Sequence, residues 1–301
     1  MSKILVTGGA GFIPSHLIDA LLENNHEVTS IDNFVTGKKD NLSKKENHTF
    51  IKADVNNLNE IEPILRKGNF EYIFHYAALV GVQRTLNNPI GVLNDLSGLE
   101  NIFFLAKETK VKKIFFSSSS EVYGEPVELP QREYLTPLNS RLPYAVIKNV
   151  GECFCKSYKQ EHNIDYTIFR FFNTYGLRQS KDFVVSKFIE LAKDNKDITV
   201  YGTGLQTRTF CYIDDHIEAT IKAFEDNVFN NEIVNIGNNE ETTILHLAET
   251  IIKVLNSKSK IKHLNPLKEG DMTRRQPDIK RMQSLLGRDF TSLEKGLKKI
   301  I

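Results

Sequence analysis

The sequence predicts an α/β fold in which a doubly wound parallel sheet carries most of the chain and a smaller C-terminal lobe follows. Three observations predict it. Short apolar runs alternate with longer stretches of helical periodicity as far as Phe171. A glycine-marked turn, Thr7-Gly8-Gly9-Ala10-Gly11, joins the first run to the first helix. From about residue 174 the alternation breaks into shorter, less regular pieces.

Ile4-Leu5-Val6 reads as a fully buried parallel strand, and Phe12, Ile13, Leu17, Ile18, Leu21 and Leu22 recur after the turn at helical spacing. Strand, tight turn and helix aim unpaired backbone N–H groups and the positive end of a helix dipole at one point, an arrangement that holds a pyrophosphate. A second strand over 28–31 ends in Asp32, about 20 residues on, where a carboxylate accepts hydrogen bonds from an adenosine ribose. Its charge repels a 2′-phosphate, so the expected cofactor is NAD rather than NADP.

Residues 33–48 are polar and charged, and 49–52 form a third strand that ends at Ala53-Asp54-Val55. A helix is expected over 58–67 and a fourth strand over 72–75. That strand runs into Ala77-Ala78-Leu79, small residues that let a flat ligand lie against the backbone. Pro89 opens a helix to about Lys107 with more apolar surface than one side of a sheet needs. A fifth strand over 111–117 leads into Ser118-Ser119-Ser120-Glu121-Val122-Tyr123-Gly124, followed by a helix over 144–161 and a sixth strand over 166–171. Ligands then belong outside the carboxyl ends of the strands.

Beyond 174, helices are expected over 183–194, from Asp214-Asp215 through Phe224, over 245–255 and over 277–286. Short strands are expected over 198–201, 207–213 and 232–236. The implied division is a Rossmann-type dinucleotide-binding domain over 1–173, with 207–236 contributing, and a substrate-covering lobe made of 174–206 and 237–301.

Composition excludes several function classes. With 39 basic and 38 acidic residues, the net charge of +1 implies no nucleic-acid or membrane field. No apolar run approaches a membrane span, and Met1-Ser2-Lys3 leads straight into the first strand, so no secretory leader is expected. Three cysteines, an odd number, point to a reducing compartment. Cys153 and Cys155 lack partners at zinc-ligand spacing, so no metal is expected. A cytoplasmic protein is the plain inference.

Tyr144-Ala-Val-Ile-Lys148 is the constellation that carries chemistry. Positions i and i+4 share a helix face, so phenol and ammonium point into one cleft. A lysine about 4.5 Å from a phenol, at an effective dielectric near 20, favours the phenolate by roughly 3–4 kcal/mol, or about 2–3 pKa units. A cationic nicotinamide ring adds to that, bringing Tyr144 towards working pH as a proton shuttle for a sugar or alcohol hydroxyl. A surface Tyr–Lys pair has the same spacing; the glycine turn and the serine-rich strand end upstream favour the functional reading. Among Ser117 to Ser120, spacing leaves open which hydroxyl bonds the reacting oxygen.

Gly8-x-x-Gly11-x-x-Pro14 resembles the GxxGxxG turn of the extended short-chain dehydrogenase/reductases, with proline where the third glycine normally stands. With Asp32, the serine row and the Tyr144/Lys148 pair, nearly the whole chain resembles that superfamily's nucleotide-sugar epimerase/dehydratase/decarboxylase group. The resemblance selects Ser119 as the catalytic serine beside Tyr144 and Lys148. It implies cofactor contacts from Gly8, Gly11, Phe12, Ile13, Asp32, Asn33, Asp54, Val55, Ala77 and Ala78, with Tyr144 and Lys148, and places Asp54 at the adenine. Phe171-Phe172-Asn173-Thr174-Tyr175-Gly176 resembles the family's FNxYG, whose Asn binds the substrate diphosphate. Arg208, in Thr207-Arg208-Thr209-Phe210-Cys211-Tyr212-Ile213-Asp214, matches a phosphate-gripping Arg. Arg275, in the stretch 270–278, matches a segment that closes the nucleotide site. Each arginine also admits a reading as surface charge or ion pair. Val200-Tyr201-Gly202 matches the segment near the uracil ring of UDP-sugar enzymes.

The reaction stays open among three. The Ser-Ser-Glu-Val-Tyr-Gly order places Glu121 where dehydratases and UDP-glucuronate decarboxylases have Glu, although Ser120 replaces the Asp of one dehydratase group. Arg274-Arg275-Gln276-Pro277-Asp278 resembles the decarboxylase tail. The stretch from Ala77 to Arg84 lacks the decarboxylases' proline-rich loop and resembles the epimerase pattern. The favoured expectation is an NAD-dependent UDP-sugar 4-epimerase; a UDP-glucuronate decarboxylase or 4,6-dehydratase, and a non-catalytic dinucleotide-sensing scaffold motivated by Pro14, are the alternatives. The surplus apolar surface of the helices near 89–107 and 144–161 predicts a homodimer through a four-helix bundle, as in the family.

Overall fold

The computed structural model describes residues 1–265 and 274–301. The chain begins with β1 (Lys3–Thr7), α1 (Phe12–Glu23), β2 (Glu27–Asp32), β3 (His48–Lys52), α2 (Leu58–Gly68) and β4 (Tyr72–His75). Three helices follow, α3 (Val82–Asn87), α4 (Pro89–Leu93) and α5 (Asp95–Glu108), then β5 (Lys113–Ser119), α6 (Pro143–His162), β6 (Asp165–Phe171) and β7 (Thr174–Tyr175). The remainder runs α7 (Val184–Lys193), β8 (Ile198–Tyr201), β9 (Thr207–Thr209), β10 (Cys211–Tyr212), α8 (Ile213–Glu225) and β11 (Glu232–Ile236). It ends with β12 (Glu241–Thr243), α9 (Ile244–Leu255), β13 (Ile261–Leu264), α10 (Lys280–Leu286) and α11 (Leu293–Ile300).

Seven strands form the Rossmann-like parallel sheet in the order β11-β6-β5-β4-β1-β2-β3. The chain winds outward from β1 to β3, then crosses back so that β4 pairs with the other side of β1. That reversal makes the carboxyl ends of β1 and β4, where Thr7 lies opposite His75, the switch point at which such sheets take ligands. Ile4, Leu5, Val6 and Thr7 have no exposed surface and β5 is buried throughout, as strands covered on both faces must be.

Local chemistry sets the helix ends. Asn57 caps α2 by accepting from the Asn59 N–H at 3.2 Å, Pro143 opens α6 where its missing N–H costs nothing, and Asn69 and Asn163 close the two helices in left-handed geometry. Inside the sheet layer, Arg170 on β6 donates to both carboxylate oxygens of Glu152 on α6, at 2.8 and 2.7 Å, and the Ser118 hydroxyl donates to Glu152 at 2.6 Å. Both partners are buried, so this bidentate pair fixes α6 against β5 and β6.

The expected helix over 89–107 is two helices, α4 and α5, divided at Asn94. The helical angles of Asn94 are kept (φ −63°, ψ −21°), so the division is a tightening of one turn rather than a reversal. The expected strand over 207–213 divides at Phe210 because its halves find different partners: β9 pairs antiparallel with β12, β10 parallel with β7. Short β7, β12 and β13, and helices α3 and α11, are additions to the sequence reading. Among the described residues no helix is long and apolar enough to cross a membrane.

The chain divides into two compact units. The first comprises Met1–Val122, Ser140–Arg170 and Thr220–Val234; the second comprises Tyr123–Asn139, Phe171–Ala219 and Asn235–Ile301.

Candidate active site

In the first unit the glycine turn is built by backbone bonds. Gly8 and Gly9 donate to the Ile31 carbonyl at 2.8 and 3.1 Å, and Gly11 donates back to Gly8 at 2.8 Å. Gly8 sits at φ +73°, and a Cβ there would lie 3.0 Å from the Ala77 backbone, so turn and β4 loop approach only because the side chain is absent. The first intrahelical bond of α1 is Ser15 N–H to Gly11 at 3.2 Å. The N–H groups of Phe12 and Ile13 precede it and stay available to an anion. Pro14 falls in that same unbonded first turn, so the proline removes no helical hydrogen bond.

Asp32 ends β2 with both oxygens engaged: Ala10 N–H donates to one at 3.0 Å and Phe34 N–H to the other at 2.7 Å. Burial raises its pKa above the usual carboxylate value, and the two amides oppose that shift. Each carboxylate oxygen accepts two hydrogen bonds, so one position per oxygen remains for a pair of ribose hydroxyls. Next along, the Asn33 amide donates to Asp54 at 3.0 Å, and the Val55 carbonyl accepts from Asn101 at 3.0 Å. Anion-binding amides, a diol-binding carboxylate and small residues at the β4 end are the set that NAD requires, and the residues present fit it.

The candidate reactive side chains gather at the end of β4. Tyr144, Lys148, Ala77 and Ala78 line one small cavity with His75, Asp95, Leu99, Phe116 and Ile147. Lys148 is buried; its Nζ donates to the Ser117 carbonyl at 2.6 Å and lies 5.8 Å from the centre of the Tyr144 ring. Burial lowers its pKa to about 8, against the opposing pull of Asp95. Ser119 ends β5, where its hydroxyl accepts the Glu121 N–H at 3.2 Å, with Glu121 in the short 3-10 turn Ser120–Tyr123. The serine row sorts itself: Ser118 is committed to Glu152 and Ser117 to the His75 carbonyl at 3.2 Å.

Four residues of this unit were not singled out by sequence. Thr7 Oγ1 accepts the N–H groups of Tyr76 and Ala77, both at 3.0 Å, so its own proton goes to His75 Nδ1 at 2.9 Å. Glu152 is the third, and Asp95 on the cavity wall is the fourth. A carboxylate inside an otherwise apolar helical run was the available signal for Asp95.

In the second unit, the Asn173 amide donates to the Thr209 carbonyl at 3.3 Å. Arg208 is half-buried on β9 and donates to the Thr207 carbonyl at 2.7 Å. Val200 is buried and Tyr201 half-buried at the end of β8, while Arg275 is buried. Arg274, its neighbour, makes a bidentate pair with Glu241 at 3.0 and 2.6 Å. Residues 270–273 of the expected closing segment lie outside the described residues. Among the described residues no group of three His, Cys, Asp or Glu is placed to hold a metal ion.

The profile of the NAD dependent epimerase/dehydratase family matches residues 4–237. A putative UDP-glucose 4-epimerase of Methanocaldococcus jannaschii is 38% identical over 99% of this chain and 97% of its own. UDP-glucuronic acid decarboxylase 1 of Danio rerio is 37% identical over 99% of this chain and 72% of its own. The crystal structure of a UDP-glucose 4-epimerase from Thermotoga maritima, with UDP-glucose, superposes with a TM-score of 0.93 at 31% identity, covering 99% of this chain and 96% of that one.

Proposed function

Since the chain belongs to the NAD-dependent epimerase/dehydratase family, we propose that it is a 4-epimerase of a nucleotide sugar, with UDP as the nucleotide, acting through a 4-keto sugar. The observation that carries this reading is that Tyr144, Lys148, Ala77 and Ala78 line one cavity together. Bound NAD supplies hydride chemistry at sugar C4. Tyr144 takes the C4 hydroxyl proton, the Lys148 ammonium keeps its phenolate accessible, and Ser119 donates a hydrogen bond to the same oxygen. Asn173, Arg208 and Arg275 hold the diphosphate, with Val200 and Tyr201 against the base. The 4-keto sugar turns over in the site, and Tyr144 returns the proton as the hydroxyl re-forms with inverted configuration. That cycle needs no acid or base beyond those named. We also assign the chain to a homodimer.

A second reading, UDP-glucuronate decarboxylase, rests on Glu121, whose N–H is fixed to Ser119 at the end of β5. The pairing of Arg274 with Glu241 weighs against it, because that guanidinium is already committed. Proton NMR of the purified protein with NAD and a panel of nucleotide sugars separates the readings. Formation of the 4-epimer from UDP-glucose or another UDP-sugar supports the first; carbon dioxide and a pentose product from UDP-glucuronate replace it with the second. A 4-keto-6-deoxy product points to a dehydratase. No product and no change in NAD absorbance with any sugar favours a scaffold. Tyr144→Phe is expected to retain NAD and lose about 10²–10⁴ in turnover.

A further inference from the structure

Asp95 opens α5 and is buried enough for desolvation to raise its pKa, yet it stands on the cavity wall with Tyr144 and Lys148. One oxygen accepts the Leu79 N–H at 2.8 Å, which pins the loop that follows Ala77-Ala78. A carboxylate kept in such a place is costly unless a positive charge answers it. The ionisable groups that line the cavity with Lys148 are His75 on β4, Asp95 on α5 and Tyr144 on α6; Glu152, further along α6, is paired with Arg170, and Asp54 opposes the charge of Asp95. His75 is neutral at working pH because burial lowers its pKa to about 3, and Tyr144 is the phenol that Lys148 serves. Asp95 is therefore the anion of the set, and the two charges influence one another: each favours the charged form of its partner against burial.

We propose that Asp95 is a positioning residue for the Tyr144–Lys148 pair, its carboxylate supplying the counter-charge that keeps the Lys148 ammonium protonated while its bond to Leu79 holds the loop beside it. The inference rests on the reading that this pair moves the sugar proton. In this role Asp95 acts through Lys148.

Two substitutions separate charge from anchoring. Asp95→Asn keeps an acceptor for the Leu79 N–H and removes the charge; Asp95→Ala removes both. The Lys148 ammonium is followed directly by NMR in protein labelled with ε-¹³C lysine, its resonance assigned by loss in Lys148→Met. The native midpoint is expected near 8. Asp95→Asn should lower it by about one pH unit at nearly unchanged thermal stability, and the alkaline limb of the turnover profile should move by the same amount. Asp95→Ala should add a loss of thermal stability. An unchanged Lys148 midpoint in Asp95→Asn overturns the proposal, whatever its turnover. Inactivity of the native protein on every nucleotide sugar overturns the epimerase reading instead, and the lysine titration still decides the role of Asp95.

Discussion

At the scale of single residues, His75 makes the fold sensitive to a fall in pH. It has its Nδ1 spoken for by the Thr7 hydroxyl, and it is buried beside Lys148. Its folded pKa, about 3, lies below the ordinary 6.5, so the folded chain binds fewer protons than the unfolded one between these values. Stability is therefore highest above pH 6.5 and falls as pH drops towards 3, at up to about 1.4 kcal/mol per pH unit from this group alone. His75→Asn, which keeps an acceptor for Thr7, should remove that component. Urea titrations at pH 7 and pH 5 should show native stability falling by about 2 kcal/mol more than that of the variant. Equal acid sensitivity would mean that His75 is hydrated or already protonated in the folded chain. Thr7 and His75 each lie in an expected element, but their contact was invisible in the sequence, because it exists only where β4 returns to the side of β1.

At the scale of elements, the strand–turn–helix unit was legible because every part of it is local: an apolar run, glycines where a Cβ meets backbone, and a 3.6-residue repeat. The same holds for Tyr144 and Lys148, which one helix fixes relative to each other. The divided strand at Phe210 and the short β12 and β13 were not legible, because strands of two to four residues are set by partners distant in sequence. Pro14 tests how far local reasoning extends. The proline stands in a turn of α1 whose N–H groups bond no helical carbonyl, so it should cost the cofactor little. Pro14→Gly is expected to destabilise the fold by about 0.5–1 kcal/mol through added unfolded-state freedom. Its NAD dissociation constant, from fluorescence titration, should stay within about threefold of native. A tenfold tighter complex would show instead that the ring obstructs the pyrophosphate.

At the scale of the whole molecule, what remains to be explained is apolar surface left in water. Along α5, Leu99, Ile102, Phe103 and Ala106 are buried, yet Leu96 and Phe104 on the same helix are 36% and 40% exposed. Ile90 and Leu93 on α4 are 73% and 47% exposed, and Val146 on α6 is 41% exposed. These helices pack on one another in the first unit, so the exposed side chains belong to neighbouring elements. In the proposed homodimer a second copy would cover these side chains by symmetry, each α5 and α6 meeting their counterparts in a four-helix bundle. Sedimentation at micromolar concentration is expected to give about twice the chain mass. Leu96→Glu with Phe104→Glu places two charges on α5 of each protomer, at a cost of about 2 kcal/mol or more per protomer in a closed interface, and should yield monomers with unchanged far-UV circular dichroism. Because the carboxylate of Asp95 and the phenol of Tyr144 sit on the same two helices, those monomers should also turn over more slowly. A native chain that sediments as a monomer, or a charged double variant that remains a dimer, would place the subunit contact elsewhere.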